Sequence, residues 1–92
     1  MNRRRAEVYY SGRVQGVGFR YMVKSLVLGY EVTGTIRNLP DGRVELLMEG
    51  MTEEIEAFRQ AIRESGLGRL ISQEQINWSD ARRELRGFEI IG

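Results

Sequence analysis

The run Gly12-Arg13-Val14-Gln15-Gly16-Val17-Gly18-Phe19-Arg20, together with Asn38, holds the residue types and spacing in this chain that suit a reaction. Glycine lets a backbone turn sharply, so that its N–H groups converge on one point. A helix starting near Phe19 adds unpaired amides and the positive end of its dipole. Arg20 stands at that start, where its planar fork matches two oxygens of an anion such as phosphate. The run lacks the lysine and hydroxyl residue of a P-loop and does not fit the dinucleotide fingerprint. Two readings therefore stand: an anion cradle capped by Arg20, or glycines that only permit a turn beside a solvated arginine. Asn38 also has two. It shares parity with Val32, Gly34 and Ile36 and so points to their face of a strand, or it is an ordinary turn asparagine ahead of Leu39-Pro40.

The rest of the composition narrows the chemistry. The chain has no histidine and no cysteine, which removes the commonest general base, the commonest metal ligand and the thiol nucleophile. Fixed cations, amides and backbone dipoles must do the work. The acidic residues show no metal-ligand spacing, and no metal is expected. With 14 basic and 13 acidic side chains the net charge is +1, a balance that argues against a nucleic-acid binder. No apolar stretch approaches the ~20 residues of a membrane span. A monomer in the cytoplasm is expected. Ninety-two residues predict one domain over 1–92. The basic run at 2–5 lacks the apolar stretch of a signal peptide, and residues 1–5 are expected to form a flexible, solvated basic terminus.

The elements that must position these residues follow from periodicity. Ala6, Val8 and Tyr10 alternate with Glu7 and Tyr9, a half-buried strand leading into the glycine-rich loop. Phe19, Val23, Leu26 and Tyr30 then fall on one helical face, ending at Gly29. Val32, Gly34 and Ile36 form a second strand ending at Asn38. Pro40-Asp41-Gly42 signals a tight turn, and Val44, Leu46 and Met48 continue the hairpin until Gly50 closes it. Thr52 is the expected N-cap of a second helix, with Glu53 and Glu54 in its first turn and Ile55, Phe58 and Ile62 as its buried stripe. Gln73 to Ser79 reads as a fourth strand, and Phe88 to Ile91 as a short final one at an edge. The order is the βαββαβ of a ferredoxin-like α+β sandwich, with two helices on one face of an antiparallel sheet and an extra C-terminal edge strand.

The segment Ser11–Arg20, SGRVQGVGFR, resembles the signature of the acylphosphatase family, and Gly34–Glu45, GTIRNLPDGRVE, resembles that family's second motif. Both stand in the family's order and separation. The likeness is strong from about Glu7 to Gly50 and weaker beyond. Leu39 stands where a small hydroxyl residue is frequent, the entry Tyr30-Glu31-Val32-Thr33 is less apolar than usual, and Glu74 falls where the family buries an apolar residue.

The resemblance implies hydrolysis of the carboxyl–phosphate bond of acyl phosphates, with no cofactor. It implies Arg20 as the phosphate-binding arginine, Asn38 as the water-orienting asparagine and Gly12 to Phe19 as the cradle, with inorganic phosphate or sulfate as competing anions. Such chemistry asks little, because a carboxylate departs without needing a proton. What it needs is position and stabilisation of charge on three equatorial oxygens. The competing reading is a non-catalytic ferredoxin-like binding or regulatory domain. An RNA-binding version displays aromatics on the open sheet face, where this chain offers Arg43, Glu45, Leu47, Glu49 and Tyr9. A regulatory version, as at the start of carbamoyl-transferring maturation proteins, would have further domains appended. Trp78 and Phe88 are expected as packing aromatics, Asp41 and Glu45 as turn and surface charges, and Arg82, Arg83 and Arg86 as a solvated basic face.

Overall fold

A chain that alternates apolar side chains along its strands and repeats them every third or fourth residue in two helices must build one helix-covered sheet. The computed structural model describes residues 3–92. Its elements are β1 (Arg3–Gly12), α1 (Phe19–Leu26), β2 (Val32–Asn38), β3 (Val44–Met51), α2 (Thr52–Glu64), β4 (Ile71–Asp80) and β5 (Phe88–Ile90). Short 3₁₀ turns occupy Val27–Gly29 and Gly68–Leu70. The inward positions Ala6, Val8, Tyr10, Ile36, Val44, Leu46 and Met48 are fully buried against Phe19, Val23, Ile55, Phe58 and Ile62. Each large side chain buried this way contributes about 1.5–3 kcal/mol.

The sheet order is β4-β1-β3-β2-β5. The first four strands are antiparallel neighbours, as expected. The short fifth strand is not: it runs parallel to β2, with Gly34 opposite Phe88 and Ile36 opposite Ile90. The sheet is therefore mixed. Chain direction explains it. β4 runs opposite to β2, and one reversal through residues 81–87 brings the chain to the far edge in β2's own direction.

Three other expectations are corrected. Met1 and Asn2 of the basic terminus lie outside the described residues, but Arg3, Arg4 and Arg5 are strand, pairing with Met51, Gly50 and Glu49. Arg5 is only 8% exposed, because its charge is met by the Glu49 carboxylate at 2.8 Å. Arg4 lies over the Trp78 ring, 5.9 Å from its centroid. Thr52 is the first residue of α2 and not its cap. β3 continues through Met51, paired with Arg3, so Met51 takes the extended position before the helix and no side chain caps it. Tyr30 lies beyond α1, which stops at Leu26, and its ring instead packs 5.5 Å from that of Phe58. Phe88 meets the same ring edge-on at 6.2 Å.

Candidate active site

The loop from β1 to α1 is fastened at both ends and open in its middle. At the entry, Gly12 has φ 122°, and a Cβ there would collide with the Leu70 carbonyl oxygen and the Ser72 amide. Glycine is required on both counts. The next amide, Arg13 N–H, donates to the Leu70 carbonyl at 2.9 Å. Val14 drops its side chain into the core, and Phe19 does the same at the start of α1, each 1% exposed. Phe19 rests on Tyr10, ring centroids 5.4 Å apart. Between these anchors Gly16 and Gly18 hold left-handed φ values of 75° and 79°, which turn successive N–H groups to one side.

Those amides have no occupation within the chain. Among the described residues, the N–H groups from Val14 through Tyr21 meet no acceptor, and the first to do so is Met22, bonded to the Gly18 carbonyl at 3.1 Å. Gly18 offers no side chain to cap the helix, and the first turn of α1 holds no acidic residue. Arg20 stands in that turn, half-buried, and forms no ion pair with a described carboxylate. A helix end of this kind normally finds a capping oxygen or an acidic neighbour. Here the positive end of the dipole and a run of free amides come without one, and Arg20 lies in the same turn.

Asn38 comes to the same end of the sheet by register. It lies opposite Val44, which lies opposite Tyr10, which in turn lies opposite Glu74. This inward-facing row crosses four strands at the level where β1 runs out into the loop. With strands about 4.8 Å apart, Asn38 stands about 10 Å from Tyr10, across β3. Its Oδ1 is buried and has no donor, the one such side-chain atom among the described residues. Leaving a buried acceptor unsatisfied costs about 1–3 kcal/mol. An ordinary turn asparagine bonds to its own backbone instead.

A link between loop and turn was not legible in the sequence. The Gln15 side chain does not aim its amide into the cradle. Its Nε2 donates to the Leu39 carbonyl at 2.8 Å and to the Arg43 carbonyl at 2.9 Å. The residue type alone carries no signal for such a contact. The turn between these carbonyls is closed by Leu39 N–H to Arg43 at 2.8 Å and Gly42 N–H to Leu39 at 3.1 Å. Asp41 braces it, accepting from the Arg43 amide at 3.1 Å and from its guanidinium at 2.8 Å. The Arg43 amide, foremost, holds the Asp41 carboxyl below the usual carboxylate range. As expected, then, Asp41 is a turn charge, and Glu45 pairs with Arg37 at 2.8 Å.

Glu74, at the other end of the row, faces the helices from β4. Its side chain is 14% exposed, with Arg59 at 3.0 Å and Arg63 at 2.8 Å from α2. It also accepts from the Tyr10 hydroxyl at 3.2 Å. Arg59 has a second partner in Glu56. Burial pushes the Glu74 carboxyl upward, but the two arginines outweigh it and hold the group below its ordinary value. Burial, and then the Glu74 charge, raise the Tyr10 hydroxyl far above its usual value, so that it stays a neutral donor. A carboxylate fits at this half-buried position because α2 brings two guanidinium groups to it.

A family model described as Acylphosphatase matches residues 6–90. The chain belongs to the acylphosphatase family. An acylphosphatase from Pelotomaculum thermopropionicum is 40% identical over 90 residues, covering 98% of each chain. Another, from Nocardia farcinica, is 39% identical over 85 residues, or 92% of this chain and 85% of that one. The crystal structure of acylphosphatase from Bacillus subtilis superposes on this acylphosphatase-family chain with a TM-score of 0.87 at 29% identity. It covers 97% of this chain and 99% of its own. The fold also matches 12% of full-length HypF in its phosphate- and nucleotide-bound form, with a TM-score of 0.84 and 26% identity.

Tyr9 lies beneath the Arg43 guanidinium, 4.8 Å from its centroid, and Glu49 is fully buried. Among the described residues no three acidic side chains gather as metal ligands, and no helix is long and apolar enough to cross a membrane.

Proposed function

We propose that this chain hydrolyses acyl phosphates, with Arg20 and the Gly12–Phe19 loop holding the phosphate and Asn38 placing the attacking water. The observation that carries the reading is the run of unoccupied amides with Arg20 at the start of α1, together with the buried, donor-less Oδ1 of Asn38, which register puts at the same end of the sheet. In the reaction, a water oxygen bonds to phosphorus and the bond from phosphorus to the acyl oxygen breaks. The carboxylate leaves with that electron pair. One water proton is accepted by Asn38 Oδ1 as a hydrogen bond, which aims the oxygen lone pair at phosphorus. The other passes to a phosphate oxygen or to solvent. The loop amides and Arg20 take up the charge that spreads over the equatorial oxygens. No general acid is required, which is why a chain without histidine or cysteine suffices.

The cradle addresses phosphate and leaves the acyl group outside, so broad acyl tolerance and competition by inorganic phosphate or sulfate belong to this reading. So does a monomer working in the cytoplasm. The test is hydrolysis of benzoyl phosphate, with a simple alkyl phosphomonoester as control. Arg20→Ala is expected to lose at least about 10²–10³ in rate, the effect of removing one preorganised donor. Asn38→Ala is expected to lose turnover while phosphate inhibition stays nearly intact. No release of phosphate from benzoyl phosphate would overturn the enzyme reading in favour of a binding or regulatory domain, and arginine-independent hydrolysis would remove Arg20 from its phosphate-holding role. Full activity in Asn38→Ala would remove the water-positioning role.

A further inference from the structure

The cradle and Asn38 come from different stretches of chain, and an in-line attack requires their separation to be held closely. A misplacement of about 1 Å can cost about 10² in rate. The backbone offers no direct tie between them. The loop's own backbone bond runs to Leu70, on the far side of β1, and Asn38 sits at the end of β2, two strands away.

We infer that Gln15 is a positioning residue, setting where Asn38 stands relative to the phosphate by clamping the β2–β3 turn to the cradle. The inference rests on the function proposed above. Five features carry it. Both N–H bonds of the Gln15 amide are spent on the turn, at 2.8 and 2.9 Å, which uses its full donor capacity. The two acceptors flank the Asn38 row: the Leu39 carbonyl follows Asn38 directly, and the Arg43 carbonyl precedes Val44, its partner across the ladder. Each carbonyl also closes the turn, receiving Gly42 and Leu39 N–H respectively. Both lone pairs of each oxygen are thereby occupied, and the turn cannot shift without breaking a bond. At its other end Gln15 is rooted between buried Val14 and left-handed Gly16, so that its backbone moves with the cradle. The bridge is half-sheltered from solvent, which strengthens hydrogen bonds relative to exposed ones.

This role differs from that of a phosphate ligand, although Gln15 lies within the loop. A phosphate ligand would change the affinity for inorganic phosphate. A clamp acting through Asn38 changes turnover and leaves that affinity alone. A merely structural bond would lower thermal stability and shift neither selectively.

The experiment is a double-mutant cycle between Gln15→Met, which keeps length and removes both donors, and Asn38→Ala. Each variant is read for benzoyl phosphate kcat and KM, inhibition by inorganic phosphate, and melting temperature. Gln15→Met is expected to lower kcat by about 10–10² and to shift the phosphate inhibition constant by less than about twofold. In the Asn38→Ala background the same substitution is expected to cost almost nothing further, because residues acting as one unit are not additive. Losses that multiply in the double variant overturn the inference, as does a matching loss of phosphate affinity. An Asn38→Ala variant with full turnover overturns the water-positioning reading itself, and that is seen in the single variant before the pair is compared. If Gln15→Met does not fold, Gln15→Asn, which keeps the amide one methylene short, carries the same comparison with the same expected sign.

Discussion

The Glu49 carboxylate and the proposed phosphate cradle share their ingredients, but at Glu49 the oxyanion belongs to the chain itself. On the helix-free face of the sheet, Glu49 receives the Arg82 amide at 2.7 Å, the Arg83 amide at 2.9 Å and the Arg5 guanidinium at 2.8 Å. Arg83 adopts the left-handed φ of 59°, a cost of about 1–2 kcal/mol for a residue with a Cβ. Burial pushes the Glu49 carboxyl up, yet the two amides and Arg5 prevail and hold it below its ordinary value. The cradle at the start of α1 uses the same ingredients: turned amides, left-handed residues and one guanidinium. It differs in that, among the described residues, no carboxylate bonds to its amides or to Arg20 and the first turn of α1 has no acidic residue. Where the anion is part of the chain, binding energy becomes folding stability. Where it must arrive from outside, the same energy is left for a ligand and for a transition state.

Breaking the filled site gives the largest expected effect on stability. Glu49→Ala leaves buried Arg5 with only the exposed Glu84 carboxylate at 3.8 Å and the Arg82 and Arg83 amides without their acceptor, a loss of about 3–5 kcal/mol. That is much of what a small domain possesses. Urea unfolding at neutral pH measures it, and the phosphate inhibition constant of the folded fraction is expected to stay unchanged. Filling the open site gives a smaller gain. Inorganic phosphate at 100 times its dissociation constant should stabilise the protein by about 2.7 kcal/mol, read as a rise in melting temperature. Arg20→Ala should show little of that rise while melting normally in buffer. A full phosphate response in Arg20→Ala would mean that the guanidinium plays no part in the cradle.

The acid limb sharpens the contrast further. Glu49 and Glu74 both have carboxyl groups held below their ordinary value in the folded protein. The stability they confer is complete above the unfolded value of about 4.3 and drains away as pH falls through the lower folded values. The urea midpoint should therefore decline with acidification in that window. Glu74→Gln should decline less steeply, since one of the linked protons is gone. An unchanged slope would show that Glu74 has no depressed titration.

Much of this was legible from residues alone, for identifiable reasons. Strands β2 and β3 and the helix stripes were readable because each buries one face, so apolar period and burial coincide. The start of β1 was not, because Arg3 to Arg5 read as a charged run, while the compensation of Arg5 lies at Glu49, far along the chain. β4 was only partly visible. It is an edge strand whose inward row mixes Ile76 and Trp78 with Glu74, and a charge is allowed there only by Arg59 and Arg63 on α2. The direction of β5 follows from where the 81–87 segment crosses, which no local pattern records. Arg82 and Arg83 were read as a solvated face. Their side chains are indeed exposed, yet their amides hold Glu49. At the candidate site, Arg20 and Asn38 were candidates through the resemblance of their motifs, whereas the Gln15 bridge is a contact between two loops and has no period to betray it.

The collision that makes Gly12 obligatory also has a kinetic side. The root of the cradle is pressed against Leu70 and Ser72, which come late in the chain, as does β4, the partner of β1. Pairings between such distant segments pay a large loop-closure entropy and form slowly. A nascent or refolding chain can wind α1 within microseconds, but the amides of Val14 to Gly18 are not gathered until β4 has docked. On the function proposed above, the grip on phosphate arrives only with the docking of β4, the next-to-last strand.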